Sequence, residues 1–322
     1  MNEPIIHTGT PLLYLSFSLL VVFFLVIDFF LLKTKGNHKV STKEALGWSV
    51  VWFLAAGVFA SWLYWYLSGV HGQDLARAKV LEFATGYILE KSLAIENVFV
   101  WITIFSYFGV PAIYQKRVLL WGVIGAIVLR AILIYLGAVL VQQFSWVFYV
   151  FGAFLVFTGI KMFWATGQTS DLNNNKLLNW LRGHLPITPE MEGDRFMVIK
   201  NGVRMLTPLF LVVVLVEISD VIFALDSIPA IFAVTSDPFI VFTANIFAIL
   251  GLRAMYFLLA DMADRFHLLG YGLAVIVTLV GVKMLLMDFY HVPTYIMLGC
   301  VALILAISVA GSLLTKQAKK TK

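Results

Sequence analysis

The sequence predicts an all-α polytopic membrane protein of about nine transmembrane helices with a 3+3 inverted repeat, and three observations carry that expectation. First, the 322 residues are 61% hydrophobic and only 13% charged, with a mean hydropathy of +0.92. A soluble domain carries about 25% charged residues, so lipid must be the solvent for most of this surface. Second, the apolar residues are gathered into runs of about 20, the length that spans a bilayer as a helix. Third, a charged motif occurs twice inside those runs.

The nine runs are roughly 11–32, 45–67, 80–108, 118–141, 145–165, 204–234, 238–260, 267–288 and 293–314. The first is too long for the apolar core of a signal peptide and has no basic start, so it reads as a retained span. Of the 23 Lys and Arg, 16 fall in alternate loops on one side, Arg77 and Lys79 fall on the other, and five lie inside the runs. By the positive-inside rule the N-terminus is outside and the C-terminus cytoplasmic, as in a bacterial inner membrane. Trp62, Tyr64, Trp65 and Tyr66 cluster at the outer end of the second run, as an interfacial belt does. Net charge is +5, but the basic residues are spread over loops, which excludes a nucleic-acid surface.

The chain reads as one membrane domain over 1–322, with repeat 1 at 80–165, a cytoplasmic loop at 166–203, repeat 2 at 204–288 and a final helix at 293–314. Within the loop, LLNWLRGHL (177–185) spaces its apolar residues as a short interfacial helix does. The repeat is carried by three matches. EKSLAIENV (90–98) aligns with DVIFALDSI (220–228), LRA (129–131) with LRA (252–254), and GIKM (159–162) with GVKM (281–284). The offset falls from 130 to 122, which is read as a longer loop around Tyr114–Arg117 in the first copy. Each copy holds three spans, so the second enters the membrane inverted, an architecture of transporters with a mid-membrane site.

The spans contain Asp28, Glu90, Glu96, Glu217, Asp220 and Asp226, with Lys91, Arg130, Lys161, Arg253 and Lys283 as charge-compensating partners. Each buried ionisable group costs about 2.5–3.5 kcal/mol on insertion scales, so these must face the bundle interior and mark a site. Glu217 and Asp220 share a helix face, whereas Asp226 points elsewhere on a regular helix. A break near Pro229, Ser219 and Ser227 is therefore expected in the sixth span. Carboxylates, Asn97, Ser227 and freed carbonyls are hard oxygen ligands suited to Mg²⁺, Ca²⁺ or Mn²⁺. No histidine lies mid-span and Cys300 is the one cysteine, so neither a disulfide nor a Zn²⁺ or Cu⁺ site is expected. No nucleophile–base pair is recognisable, and the chain is not read as an enzyme.

EKSLAIENVFVW (90–101), VEISDVIFALDSIPAIFA (216–233), FAILGLRAMYFLL (247–259) and WLRGHL (180–185) closely resemble the TerC family, in particular its alkali-inducible branch. That family takes its name from a tellurium-resistance determinant and is related to the LysE transporter superfamily, and its members are implicated in manganese export. The resemblance implies that Glu90, Glu96, Glu217, Asp220 and Asp226, with Asp28 on the first span, are the working acids. Glu96 stands where the family motif has Asp, a carboxylate one methylene shorter. The expectation is a secondary transporter exporting a divalent cation, Mn²⁺ foremost, through these acids and Asn97. No cofactor is permanently bound. Crowded carboxylates hold protons that an arriving metal displaces, which makes protons the expected coupling ion. Two alternatives stand beside it: a membrane scaffold acting on metal or tellurium resistance through partner proteins, and an exporter of another small cation or a basic amino acid.

Overall fold

The computed structural model describes residues 8–34, 40–144, 146–166, 185–200, 202–260, 268–290 and 292–315. Ten helices and one hairpin make up the described chain. They are α1 (Pro11–Thr34), α2 (Thr42–His71), α3 (Gln73–Tyr107), α4 (Ala112–Gln143), α5 (Val147–Ala165), β1 (Met197–Lys200), β2 (Val203–Leu206), α6 (Pro208–Phe232), α7 (Pro238–Leu250), α8 (Leu252–Ala260), α9 (Leu269–Leu285) and α10 (Thr294–Leu314).

Local chemistry sets the helix starts. Pro208 and Pro238 occupy first-turn positions, where a missing N–H costs nothing. Asp237 caps α7 by accepting from the Phe239 N–H at 3.1 Å, and Ser41 caps α2 through the Glu44 N–H, half of a capping box. Gly72, at φ +90°, lets α2 turn directly into α3.

Five helices, α2, α4, α5, α6 and α10, are each long and apolar enough to cross a bilayer, and α7–α8, bent by 42° at Gly251, is a sixth when counted as one span. Shorter apolar stretches are Pro11–Ile27 and Leu269–Leu285. The outer faces are apolar throughout: Phe23, Leu54, Val58, Tyr135, Phe157 and Ile307 are all exposed. The polar residues Glu90, Asn97, Arg130, Asp220 and Asn245 are buried instead. Such an inside-out distribution is what a lipid solvent selects.

α3 carries five charged residues between Lys79 and Glu96 and is accordingly enclosed, with α2, α6, α7, α8 and α10 packed around it. α5 lies against α9 along a stripe of small residues. A Cβ on Gly281 would meet the Gly152 carbonyl and the Val156 N–H at 2.8 Å, and one on Gly159 would meet the Thr278 N–H at 2.7 Å. Phe17, Phe59, Phe83, Phe239 and Phe247 stack edge-on and tilted to tie α1, α2, α3 and α7 together.

Several expectations need correction. The chain is not wholly α-helical: Val203–Leu206, read as the start of the sixth span, pairs antiparallel with Met197–Lys200. Lys200 faces Val203 across a two-residue connection of sequence Asn201–Gly202, with Gly202 at φ +76°, the turn chemistry that favours a hairpin over a helix start. The sixth span is not broken at Pro229, which lies inside α6. It sits in the last turn, where a lost N–H ends the helix rather than splitting it. The bend falls in the seventh span, at Gly251. Tyr114–Arg117, read as a loop, belongs to the first turns of α4, and Arg77 and Lys79 belong to those of α3. Most of the predicted interfacial helix at 177–185 lies outside the described residues.

A buried ion cluster as the candidate functional site

Four helices converge on Arg130. From the middle of α4 its guanidinium donates from Nε to Asp220 Oδ2 at 3.1 Å and from Nη2 to Asp220 Oδ1 at 2.8 Å, a bidentate grip on α6. Nη1 pairs with Glu90 Oε1 on α3 and donates to Asn245 Oδ1 on α7 at 3.3 Å. The Ser227 hydroxyl lies at 3.5 Å. Arg130, Glu90 and Asp220 are each 1% exposed and Asn245 is fully buried, so these charges neutralise one another away from water. Glu90 and Asp220 are the first acids of the two repeated motifs, and one arginine bridges them.

Asn97, two helical turns beyond Glu90 on α3, donates from Nδ2 to Asp220 Oδ1 at 3.2 Å. A carboxylate can only accept, so this bond fixes the amide's orientation and turns Oδ1 the other way. Asn97 Oδ1 and Glu90 Oε2 are both buried with no hydrogen-bond partner. Both residues line a small cavity completed by Glu96, Arg130, Asp226 and Ser227, which leaves about 10 Å³ for the centre of a water-sized body. That is the room of one water or one bare ion. The second acids of the two motifs, Glu96 and Asp226, thus face each other across the cavity and feel each other's charge. Asp226 is also bonded to Thr158 and attracted by Lys161, both on α5.

The remaining sequence-predicted residues lie apart. Glu217 is one turn from Asp220 and within its field, but it is turned toward α4, where Gly125 makes room: a Cβ there would meet its carboxylate at 2.1–2.5 Å. Asp28 lies on α1, and its side chain is outside the described residues. Arg253 is the second residue of α8, just beyond the bend. Two of the lysines sit on backbone rather than in the acidic cluster. Lys91 Nζ donates to the Ala248 carbonyl at the end of α7, at 3.1 Å. Lys283 Nζ donates to the Ala233 carbonyl at the end of α6, at 2.8 Å. Ammonium groups are favourable at helix C-termini for dipolar reasons. Among the described residues no three His, Cys, Asp or Glu side chains close on one metal-sized point; Arg130 stands between Glu90 and Asp220 instead.

Sequence reasoning missed Asn245, although a lone amide in PFIVFTANIFAIL was a visible signal. It also missed a second polar network at the α3 N-terminal end of the bundle. There Asp237 accepts from Thr8 (N–H at 3.0 Å, hydroxyl at 2.7 Å) and pairs with Lys79 at 3.6 Å. Lys79 also pairs with Glu82, which accepts from the Thr235 hydroxyl. The network laces α1, α3, α6 and α7 together. At the opposite end of the bundle Arg117 pairs with Asp194 and lies over the Phe196 ring beside the hairpin.

A helical bundle with apolar outer faces and charged residues neutralised at its centre is a multi-pass integral membrane protein. This chain belongs to the integral membrane protein TerC family, matching it over residues 75–320. A Salmonella typhi protein named "Putative membrane-bound redox modulator Alx" is 54% identical over 300 residues, 93% of each chain. One of the same name from Photorhabdus laumondii is 50% identical over 98% of each chain. An uncharacterized membrane protein of Myxococcus xanthus is 44% identical over 95% of this chain and 93% of its own. No solved structure matches.

Proposed function

We propose that this protein is a secondary transporter that exports a divalent metal cation, Mn²⁺ foremost, from the cytoplasm in exchange for protons. The observation that carries the reading is the pair of unpartnered buried acceptors, Glu90 Oε2 and Asn97 Oδ1, on a cavity that also holds Glu96 and Asp226. Buried acceptors are nearly always satisfied, and in this reading a metal cation supplies the partner that Arg130, already committed to Glu90 Oε1 and Asp220, does not. Its donors are all hard oxygens, which suit Mn²⁺ or Mg²⁺.

In this reading the nine apolar segments all cross an inner membrane, with the N-terminus outside, and the two copies form an inverted repeat. Counterpart packing supports it: α3 touches α6, α4 touches α7 and α8, and α5 lies along α9. Arg130 then acts as a built-in counter-ion. It neutralises Glu90 and Asp220 while no cargo is present, and an arriving metal engages Glu96, Asp226, Asn97 and the free oxygen of Glu90. Opening on either side requires α4 to part from α3 or α6, which the Arg130 contacts resist until the metal replaces part of that charge. In this reading the Thr8–Asp237–Lys79–Glu82–Thr235 network holds the outer end closed. Protons displaced from the acids by the metal provide the coupling.

The test is Mn²⁺ flux in proteoliposomes across a pH gradient, with Mg²⁺, Ca²⁺ and Zn²⁺ as competitors. Saturable flux lost in Asp226→Asn and Glu96→Gln is expected. Absence of flux for every ion, from folded protein, would sink the transport reading. The relatives' name favours a second reading, modulation of membrane redox state. Cys300 is this chain's one thiol, and a metal-resistance phenotype that survives Asp226→Asn but fails in Cys300→Ser would support it.

A further inference from the structure

The bend at Gly251 has its own electrostatic problem, separate from the acidic cavity. A helix that stops inside the bundle leaves its last carbonyls without intrahelical partners and carries about half a negative charge at that end. Ion-coupled carriers commonly place a dissociable Na⁺ or H⁺ against such unwound carbonyls. Here the position is taken by a side chain. Lys91 reaches from α3 to the Ala248 carbonyl at 3.1 Å. Gly251 makes the approach possible, since a Cβ at that residue would lie 2.3 Å from Lys91 Nζ and 3.3 Å from Trp52 Cβ. Gly251 is in ordinary right-handed geometry (φ −86°, ψ −1°), so the backbone itself does not demand glycine; a side chain there would have to push the ammonium aside and crowd Trp52. Trp52 of α2, 8% exposed, walls the pocket with an apolar surface, which strengthens the ammonium–carbonyl attraction.

We propose that the α7–α8 bend is a monovalent-cation site whose resident ion is the covalently attached ammonium of Lys91. It follows that the fold needs no free alkali ion at its broken helix, and that shortening Lys91 exposes a site for Na⁺ or K⁺. The proposal does not depend on the cargo assigned above: loss of Mn²⁺ flux would leave it untouched, and its own failure would leave the acidic cavity untouched.

The experiment is thermal unfolding of the purified full-length chain in detergent, in NaCl, KCl or choline chloride at equal ionic strength. Wild type is expected to unfold at one temperature in all three. Lys91→Ala is expected to unfold lower in choline and to recover by about 3 °C or more, saturably, in NaCl or KCl. Lys91→Met, which refills the space without a charge, should lose stability without ion-specific recovery. An ion-specific response in wild type, a Lys91→Ala protein indifferent to all three salts, or a Lys91→Met protein as stable as wild type would each overturn the proposal. If Lys91→Ala does not fold, Gly251→Ala decides. Its methyl displaces the ammonium, so it should lower the unfolding temperature of wild type but have little further effect in Lys91→Met. Equal losses in the two backgrounds would refute the contact.

Discussion

Arg130 and Arg253 are the middle residues of the same Leu-Arg-Ala triplet, yet they occupy unlike places. Arg130 lies in the middle of an unbroken 32-residue helix and is enclosed by Glu90, Asp220 and Asn245. Arg253 is the second residue of a nine-residue helix that begins just past a bend, and it is half-buried. The residue two before each arginine differs: Val128 in the first copy, Gly251 in the second. A bulky side chain would collide with Lys91 at the second position, whereas Val128 points outward as an exposed side chain. The difference teaches that a repeated motif supplies equivalent residue types, and the departures between copies decide which of them is buried at the centre. One arginine serves both acids, and the other half of the molecule is given a bend.

That comparison can be broken by mutation. Arg130→Ala should be the most damaging change, costing about 3–5 kcal/mol because two buried carboxylates lose their partner. Arg253→Ala should cost clearly less. Thermal unfolding of the two purified variants checks this, and equal losses would erase the asymmetry. Next come the glycines that let α5 and α9 touch. Gly159→Ala and Gly281→Ala each force a methyl against backbone and should cost about 1–3 kcal/mol, with similar magnitude in the two copies. A neutral Gly281→Ala would mean the helices stand farther apart. Asn245→Ala removes one hydrogen bond to a charged group and should cost about 1.5 kcal/mol in the same assay. Glu96→Gln should have the smallest effect on folding, within about 0.5 kcal/mol, yet it should abolish Mn²⁺-induced stabilisation of the purified protein. Retained Mn²⁺ stabilisation in that variant would move the proposed metal position away from the cavity.

Much of the scaffold was legible because lipid imposes a coarse rule: each of the nine apolar runs carries helix, and prolines stand at or just before the starts of α1, α4, α6, α7 and α10. The hairpin was missed although Asn201–Gly202 between two short apolar stretches announces one. The acids were legible as intramembrane charges. Their pairing was not, because which carboxylate meets which cation depends on helix rotation that short motifs do not encode. Lys91 and Lys283 were read as partners for acids and were found on Ala248 and Ala233 carbonyls. Backbone acceptors appear at every residue, so sequence gives no sign of which ones a bend or a helix end will release. Pro229 was the visible candidate for a break, yet α6 runs on through it to Phe232.

The bridge made by Arg130 also has a history during synthesis. Glu90 and Arg130 are 40 residues apart in the first copy, whereas Asp220 follows Arg130 by 90 residues. At a ribosomal pace of about 5–20 residues per second, the arginine enters the bilayer on the order of ten seconds before its second carboxylate exists. The nascent first half must therefore hold a guanidinium with one partner, and assembly of the bundle is completed only when α6 slides in beside it. A translation pause or a truncation between residues 166 and 207 would leave that guanidinium with Glu90 as its one carboxylate partner.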